Sequence, residues 1–80
     1  MPRLSVVSGR QAVRVFENLG WQVVRQTGSH VILVKDGHPA TLSVPEHDEV
    51  AKGTLRSLIT LRSLIRSADL TVAEFMAAVP

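Results

Sequence analysis

The side chains in this 80-residue chain best suited to moving protons near neutral pH are its three histidines, and there is no cysteine to compete with them. His30 closes the tripeptide Gly28-Ser29-His30 and stands at the mouth of a run of β-formers, Val31-Ile32-Leu33-Val34. His38 follows Asp36-Gly37, and His47 lies between Glu46 and Asp48 just after Val44-Pro45. His38 reads as a solvated turn residue. His47 reads as a loop residue or as support for a neighbouring site. His30 fits either a structural role at the start of a strand or general acid–base work, and its position alone leaves both open.

Other chemistries fit poorly. Glu46-His47-Asp48-Glu49 offers several oxygens and one nitrogen, but adjacent residues of an extended loop diverge, and no second ligand pair stands at helical spacing. Those carboxylates are better placed as favourable charges ahead of a helix N-terminus, so no metal and no cofactor is expected. There is no Gly-x-Ser-x-Gly elbow. Ser29 adjoins His30, but successive strand residues face opposite sides, which argues against a Ser29 nucleophile activated by His30.

The elements that must position these residues are legible in outline. Ser8 to Gln11 has the spacing of a capping box, and Ala12, Val13, Phe16 and Leu19 recur at helical spacing, predicting a helix over 9–19 that Gly20 ends. Strands are expected at Trp21–Gln26, Ser29–Lys35 and Pro39–Val44. Thr27-Gly28 makes the first turn, and Asp36-Gly37 is a two-residue hairpin signal. In the second strand His30, Ile32 and Val34 share one face and Val31, Leu33 and Lys35 the other; both faces hold apolar residues, so periodicity does not say which is buried. Trp21 reads as core rather than as a stacking platform. A polar loop over 45–52 leads to a helix opened by Gly53-Thr54 and running to Ser67, with Asp69-Leu70 breaking it. Thr71 to Glu74 is a second capping box, starting a short helix with Phe75. The whole is one domain, residues 1–80, of two-layer α+β class: a helix, three antiparallel strands, a helix and a short C-terminal helix.

Nine Lys and Arg against seven Asp and Glu give a formal net charge of +2. Seven of the nine are arginines, which suit phosphate contacts without demanding them. The N-terminus lacks the apolar stretch of a signal peptide, and no run is long enough to span a bilayer, so a cytoplasmic protein with no membrane contact is expected.

Residues 54–59, Thr-Leu-Arg-Ser-Leu-Ile, are repeated without change at 60–65. Six residues lengthen a helix by about 9 Å and rotate it by roughly 600°, a net offset near 240°. The stripe of Leu55, Leu58 and Ile59 therefore continues into Arg62 and Arg66, while Leu61, Leu64 and Ile65 turn away from it. One straight helix cannot bury both apolar sets against one small core. The extra turns protrude and pack on a second chain, the helix swaps between protomers, or one copy loops out. A homo-oligomer, in the simplest case a dimer, is expected.

The ordered set Gly28-Ser29-His30, Val44-Pro45-Glu46-His47, Lys52-Gly53-Thr54-Leu55 and, near the end, Glu74-Phe75 resembles the HicA (YcfA-like) family of mRNA interferase toxins from Ser8 to about Met76. The chain departs from that pattern in its repeated hexapeptide and in Asp69, where a glycine is usual. The resemblance implies a double-stranded-RNA-binding-domain-like fold and a type II toxin–antitoxin endoribonuclease. It also implies RNA cleavage that depends on His30, and a HicB-type antitoxin that covers the site. The chemistry is compatible, because RNA carries its own nucleophile in the 2′-hydroxyl and one imidazole can assist as base or acid. Gly28, Ser29 and His47 would support the site. Arg25, Lys35, Lys52 and Arg56, with the helix-start amides near Gly53 and Thr54, are the candidates to hold the phosphates of mRNA. Two other readings stand beside this one: a non-catalytic RNA-binding module, and a self-assembling scaffold driven by the protruding leucines.

Overall fold

A computed structural model of the chain describes residues 8–45 and 55–79, with side chains from Ile59 onward in the second stretch. The described elements are α1 (Gly9–Asn18), β1 (Gln22–Thr27), β2 (His30–Val34), β3 (Leu42–Pro45), α2 (Leu55–Ser67) and α3 (Val72–Ala77). The strands form one antiparallel sheet in the order β1-β2-β3, with β2 in the centre. The fold is α+β, consistent with a double-stranded-RNA-binding-domain-like arrangement.

Caps fix the helix ends. The Gln11 N–H donates to Ser8 Oγ at 3.1 Å and the Ser8 N–H to Gln11 Oε1 at 2.8 Å, so the capping box read in the sequence is formed. At the other end of α1, Gly20 takes φ +99°, and the Trp21 and Gly20 N–H groups donate to Phe16 and Glu17 carbonyls at 3.0 and 3.1 Å. This double bond is a Schellman cap. α2 ends the same way with Asp69 in place of glycine. Asp69 has φ +57°, its N–H donates to Arg66 O at 3.0 Å, and the Leu70 N–H donates to Ile65 O at 3.1 Å. The second capping box also forms, between Thr71 and Glu74, and starts α3.

The strands are shorter or shifted relative to expectation, and each difference has a hydrogen-bonding cause. Trp21 is outside β1 because its N–H is committed to the α1 cap. Lys35 is outside β2 because its carbonyl accepts the His38 N–H at 3.0 Å, closing a turn with Gly37 at φ +78°. Only Gly37 there has positive φ, whereas a two-residue type I′ hairpin needs it at both central positions. The expected tight hairpin is therefore a turn inside a longer connection from Lys35 to Thr41. β3 starts at Leu42 rather than Pro39: Pro39 has no N–H, and the Ala40 N–H donates to His38 Nδ1 at 3.2 Å.

The helices share one face of the sheet. Ala12, Val15 and Phe16 of α1, Leu61, Leu64 and Ile65 of α2, and Phe75 of α3 bury against Val31 and Leu33 of β2 and Leu42 and Val44 of β3. Trp21 belongs to this core, 2% exposed, with its ring edge-on to Phe16 at 6.5 Å. Phe75 closes the core against Phe16, ring centroids 5.3 Å apart, and Asn18 Nδ2 donates to the Ala78 carbonyl at 3.1 Å. The face with Val31 and Leu33 is thus the covered one, and the face with His30, Ile32 and Val34 lies open.

The duplication is accommodated in one helix. From Leu55 onward both copies lie in the continuous α2, so neither is looped out. The second copy supplies the core: Leu61, Leu64 and Ile65 are buried, followed by Ala68. Ile59, the first-copy counterpart of Ile65, is 58% exposed on the outside of the helix.

Candidate functional site

The turn that presents His30 is built by Gly28. Thr27 pairs with His30, leaving Gly28 and Ser29 as the loop, and Gly28 has φ +57°. Positive φ at the first loop position alone is the pattern of a type II′ turn, which matches strand twist and favours glycine. A Cβ built on Gly28 meets no atom within 4 Å, so the glycine is required for its backbone angle and not for space.

Register then fixes the neighbours of His30. Thr27 lies opposite on β1 and Pro45 opposite on β3, and His30 is exposed. Ile32 pairs with Arg25 and Ser43, so both share the open face with His30. Arg25 arrives there through a β-bulge. The register shifts between Val23, which pairs with Leu33, and Arg25, which pairs with Ile32. In an unbroken ladder Val24 would pair with Ile32 and Arg25 would fall on the covered face. The extra residue flips Arg25 to the open side and leaves Val24 unpaired and 53% exposed. Arg25 becomes a diagonal neighbour of His30, a separation of roughly 7–8 Å that an arginine side chain spans.

Other candidates fall elsewhere. Ser29 is exposed in the turn. Lys35 sits past the far end of β2, about 17 Å from His30 along an extended chain. Its stem crosses Gly20, with Cε 3.3 Å from where a Cβ on that glycine would stand. The structure does not bring Lys35 to His30. Arg56 is in the first turn of α2, ahead of the described side chains. His47, Lys52, Gly53 and Thr54 lie outside the described residues.

A second polar cluster was not foreseen. His38 Nε2 stands 3.0 Å from Asp69 Oδ2, its Nδ1 accepts the Ala40 N–H at 3.2 Å, and its ring lies 4.9 Å from that of Trp21. An Nδ1 that accepts places the proton of the neutral ring on Nε2, which donates to Asp69. His38 is therefore not a solvated turn residue: its side chain is 16% exposed, and it fastens the β2–β3 connection to the C-terminal cap of α2. With both nitrogens engaged it holds structure rather than shuttling protons. Residues 38 and 69 are too far apart in the chain for any sequence pattern to link them. Among the described residues no group of three or more His, Asp or Glu side chains assembles into a metal-ligand set.

A model of the HicA toxin of bacterial toxin–antitoxin systems matches residues 9–70, from the first residue of α1 to the end of the α2 cap. The chain belongs to the HicA toxin family. This HicA protein is accordingly the toxin side of a toxin–antitoxin pair, with an antitoxin as its partner. The match includes the Gly28-Ser29-His30 turn and both copies of the hexapeptide, whereas Glu74-Phe75 lies beyond it. No curated protein matches the chain, and no solved structure does. Among the described residues of this HicA toxin no helix is long and apolar enough to cross a membrane.

Proposed function

We propose that this HicA toxin is an mRNA interferase, an endoribonuclease in which His30 performs the proton transfer. The observation that carries the reading is the placement of His30, exposed at a strand end on the uncovered sheet face with Arg25 diagonal to it. In the step envisaged, the imidazole takes the proton of an RNA 2′-hydroxyl as that oxygen attacks the adjacent phosphorus. The bond from phosphorus to the 5′-oxygen breaks, and that oxygen takes up a proton from solvent. The products are a 2′,3′-cyclic phosphate and a 5′-hydroxyl. Arg25 offsets charge on the phosphorane-like transition state. Gly28 and Ser29 set the turn that aims His30, and His47 supports the site. Lys52, Gly53, Thr54 and Arg56 hold flanking phosphates, with Lys35 a more distant contact. The chemistry calls for no metal. A HicB-type antitoxin covers this face in the cytoplasm.

His30→Ala should abolish RNA cleavage and growth arrest while leaving the circular dichroism spectrum and melting temperature unchanged. Undiminished cleavage by that variant would remove His30 from the mechanism.

The exposure of Ile59 favours a second reading alongside the first: homodimerisation through the N-terminal turns of α2, where the first-copy Leu55, Leu58 and Ile59 stand. Sedimentation showing a monomer at micromolar concentration excludes it.

A further inference from the structure

The open sheet face is poor in positive charge. Its described members are Gln22, Arg25, Thr27, His30, Ile32, Val34, Ser43 and Pro45, with Arg25 the one lysine or arginine among them. Among the described arginines, all but Arg25 lie on the helix layer, on the other side of the sheet. α2 holds no acidic residue in its 13 positions. Its buried set of Leu61, Leu64, Ile65 and Ala68 leaves Ile59, Arg62, Ser63 and Arg66 on the opposite side of the helix, and all four are exposed. These four line a shallow open groove of about 380 Å³. α1 repeats the arrangement on the same layer, with Arg10 and Arg14 exposed opposite the buried Ala12, Val15 and Phe16.

Like charges one helical turn apart destabilise a helix, so the Arg62–Arg66 pair, on a helix with no acidic residue, is favoured by a bound anion. Arg66, in the last turn of α2, gains from the helix dipole, but Arg62 does not. Guanidinium groups bind phosphate in a bidentate fork, and the Ser63 hydroxyl adds a donor beside the two α2 arginines.

We infer that the outer face of α2, centred on Arg62, Ser63 and Arg66, is a second binding site for the phosphate backbone of single-stranded RNA, on the side of the protein opposite His30. The inference rests on the ribonuclease reading for the identity of the polyanion. In it, the sheet face does the cutting and the helix face retains the strand.

The test uses the full chain and a 2′-O-methylated RNA of about 20 nucleotides, long enough to cover a whole binding surface. Affinity is read by fluorescence anisotropy across a salt series. Because the probe has no free 2′-hydroxyl, the result is independent of whether His30 cuts RNA. Arg62→Gln/Arg66→Gln should lower the slope of log K against log salt by about 1.4, so that its affinity deficit grows about sevenfold between roughly 200 and 50 mM salt. Arg62→Lys/Arg66→Lys, which keeps the charges, should retain most of the slope. An affinity and slope equal to the parent's in the glutamine variant overturn the inference. So does loss of binding to an acidic protein partner with RNA affinity unchanged, which would make the face a protein dock.

Discussion

Ile59 and Ile65 are the same residue at the same place in two identical hexapeptides, yet one is exposed and the other buried, and that contrast is a sharp test of how α2 sits. Ile65 is 2% exposed within the core, whereas Ile59 is 58% exposed on the outside of the helix. Truncating either to alanine removes about three methylene-equivalents. At about 0.8 kcal/mol per buried group, Ile65→Ala forfeits roughly 2.4 kcal/mol of transfer free energy, and the cavity term brings the cost to about 3 kcal/mol. Ile59→Ala forfeits little burial, and alanine's better helix propensity offsets most of that, leaving a change within about 0.5 kcal/mol. For a domain of this size, about 3 kcal/mol corresponds to a melting-temperature drop of roughly 12–24 °C. Thermal and urea unfolding of the two variants, at a concentration where the chain is monomeric, measure the difference directly. Equal costs, or a greater cost at Ile59, would refute the placement of the second copy in the core and with it the outward face of Arg62 and Arg66.

Three further outcomes follow from the caps and the turn. Gly28→Ala should cost about 1–2 kcal/mol in chemical denaturation through the backbone angle alone, since a Cβ there meets no atom. Asp69→Gly should cost about 0.5–1.5 kcal/mol, because glycine adopts the φ of +57° freely but the His38 hydrogen bond is lost, whereas Asp69→Val, which also strains the backbone, should cost about 1.5–3.5 kcal/mol. Deleting Val24 should restore an unbroken ladder that keeps Arg25 opposite Ile32 on the open face; if Arg25 serves the reaction there, cleavage persists in that variant with the sheet intact by circular dichroism, whereas Arg25→Gln lowers it.

What the sequence discloses here follows from how local each feature is. Both capping boxes and the glycine cap of α1 depend on contacts within a few residues, and each formed as the spacing implied. The order of elements and the choice of Trp21 for the core were legible for a similar reason: strong periodicity and large apolar side chains leave few alternatives. The strand limits were not. They turn on where particular N–H and C=O groups are spent, such as the Ala40 N–H on His38 or the Trp21 N–H on Phe16, and those commitments need the third dimension. The bulge at Val24 has no signal in Gln22–Thr27, yet it decides whether Arg25 shares a face with His30. The covered face of β2 was likewise undetermined, because Ile32 and Val34 are as apolar as Val31 and Leu33. Of the three outcomes the hexapeptide allowed, the continuous helix removes the looped-out copy, and the Schellman cap at Asp69 and the contacts of Leu61, Leu64 and Ile65 anchor its C-terminal end.

That anchoring decides where the duplication acts. With the C-terminal end of α2 fixed, six added residues push its start outward, about 9 Å further along the axis and rotated by roughly 240° relative to a single-copy helix. The strand register that places His30 on the sheet face away from the helix layer does not involve α2. Arg56, in the first turn of α2, is carried with it. Removing residues 60–65 leaves Thr-Leu-Arg-Ser-Leu-Ile joined to Arg66-Ser67-Ala68, the same chain as removing 54–59, so the remaining copy meets the core with the flanking sequence the second copy has now. Stability should therefore change by no more than about 1 kcal/mol, since no core contact is lost. RNA cleavage should change instead, because the start of the helix and its arginine move back by those six residues, about 9 Å along the axis. Comparing kcat/KM on one RNA for the full and the shortened chain, with unfolding curves run beside it, separates the two effects. A shortened chain that melts far below its parent would show that both copies contribute to stability and that one alone does not suffice; unchanged kcat/KM would show that the start of α2 takes no part in holding the substrate.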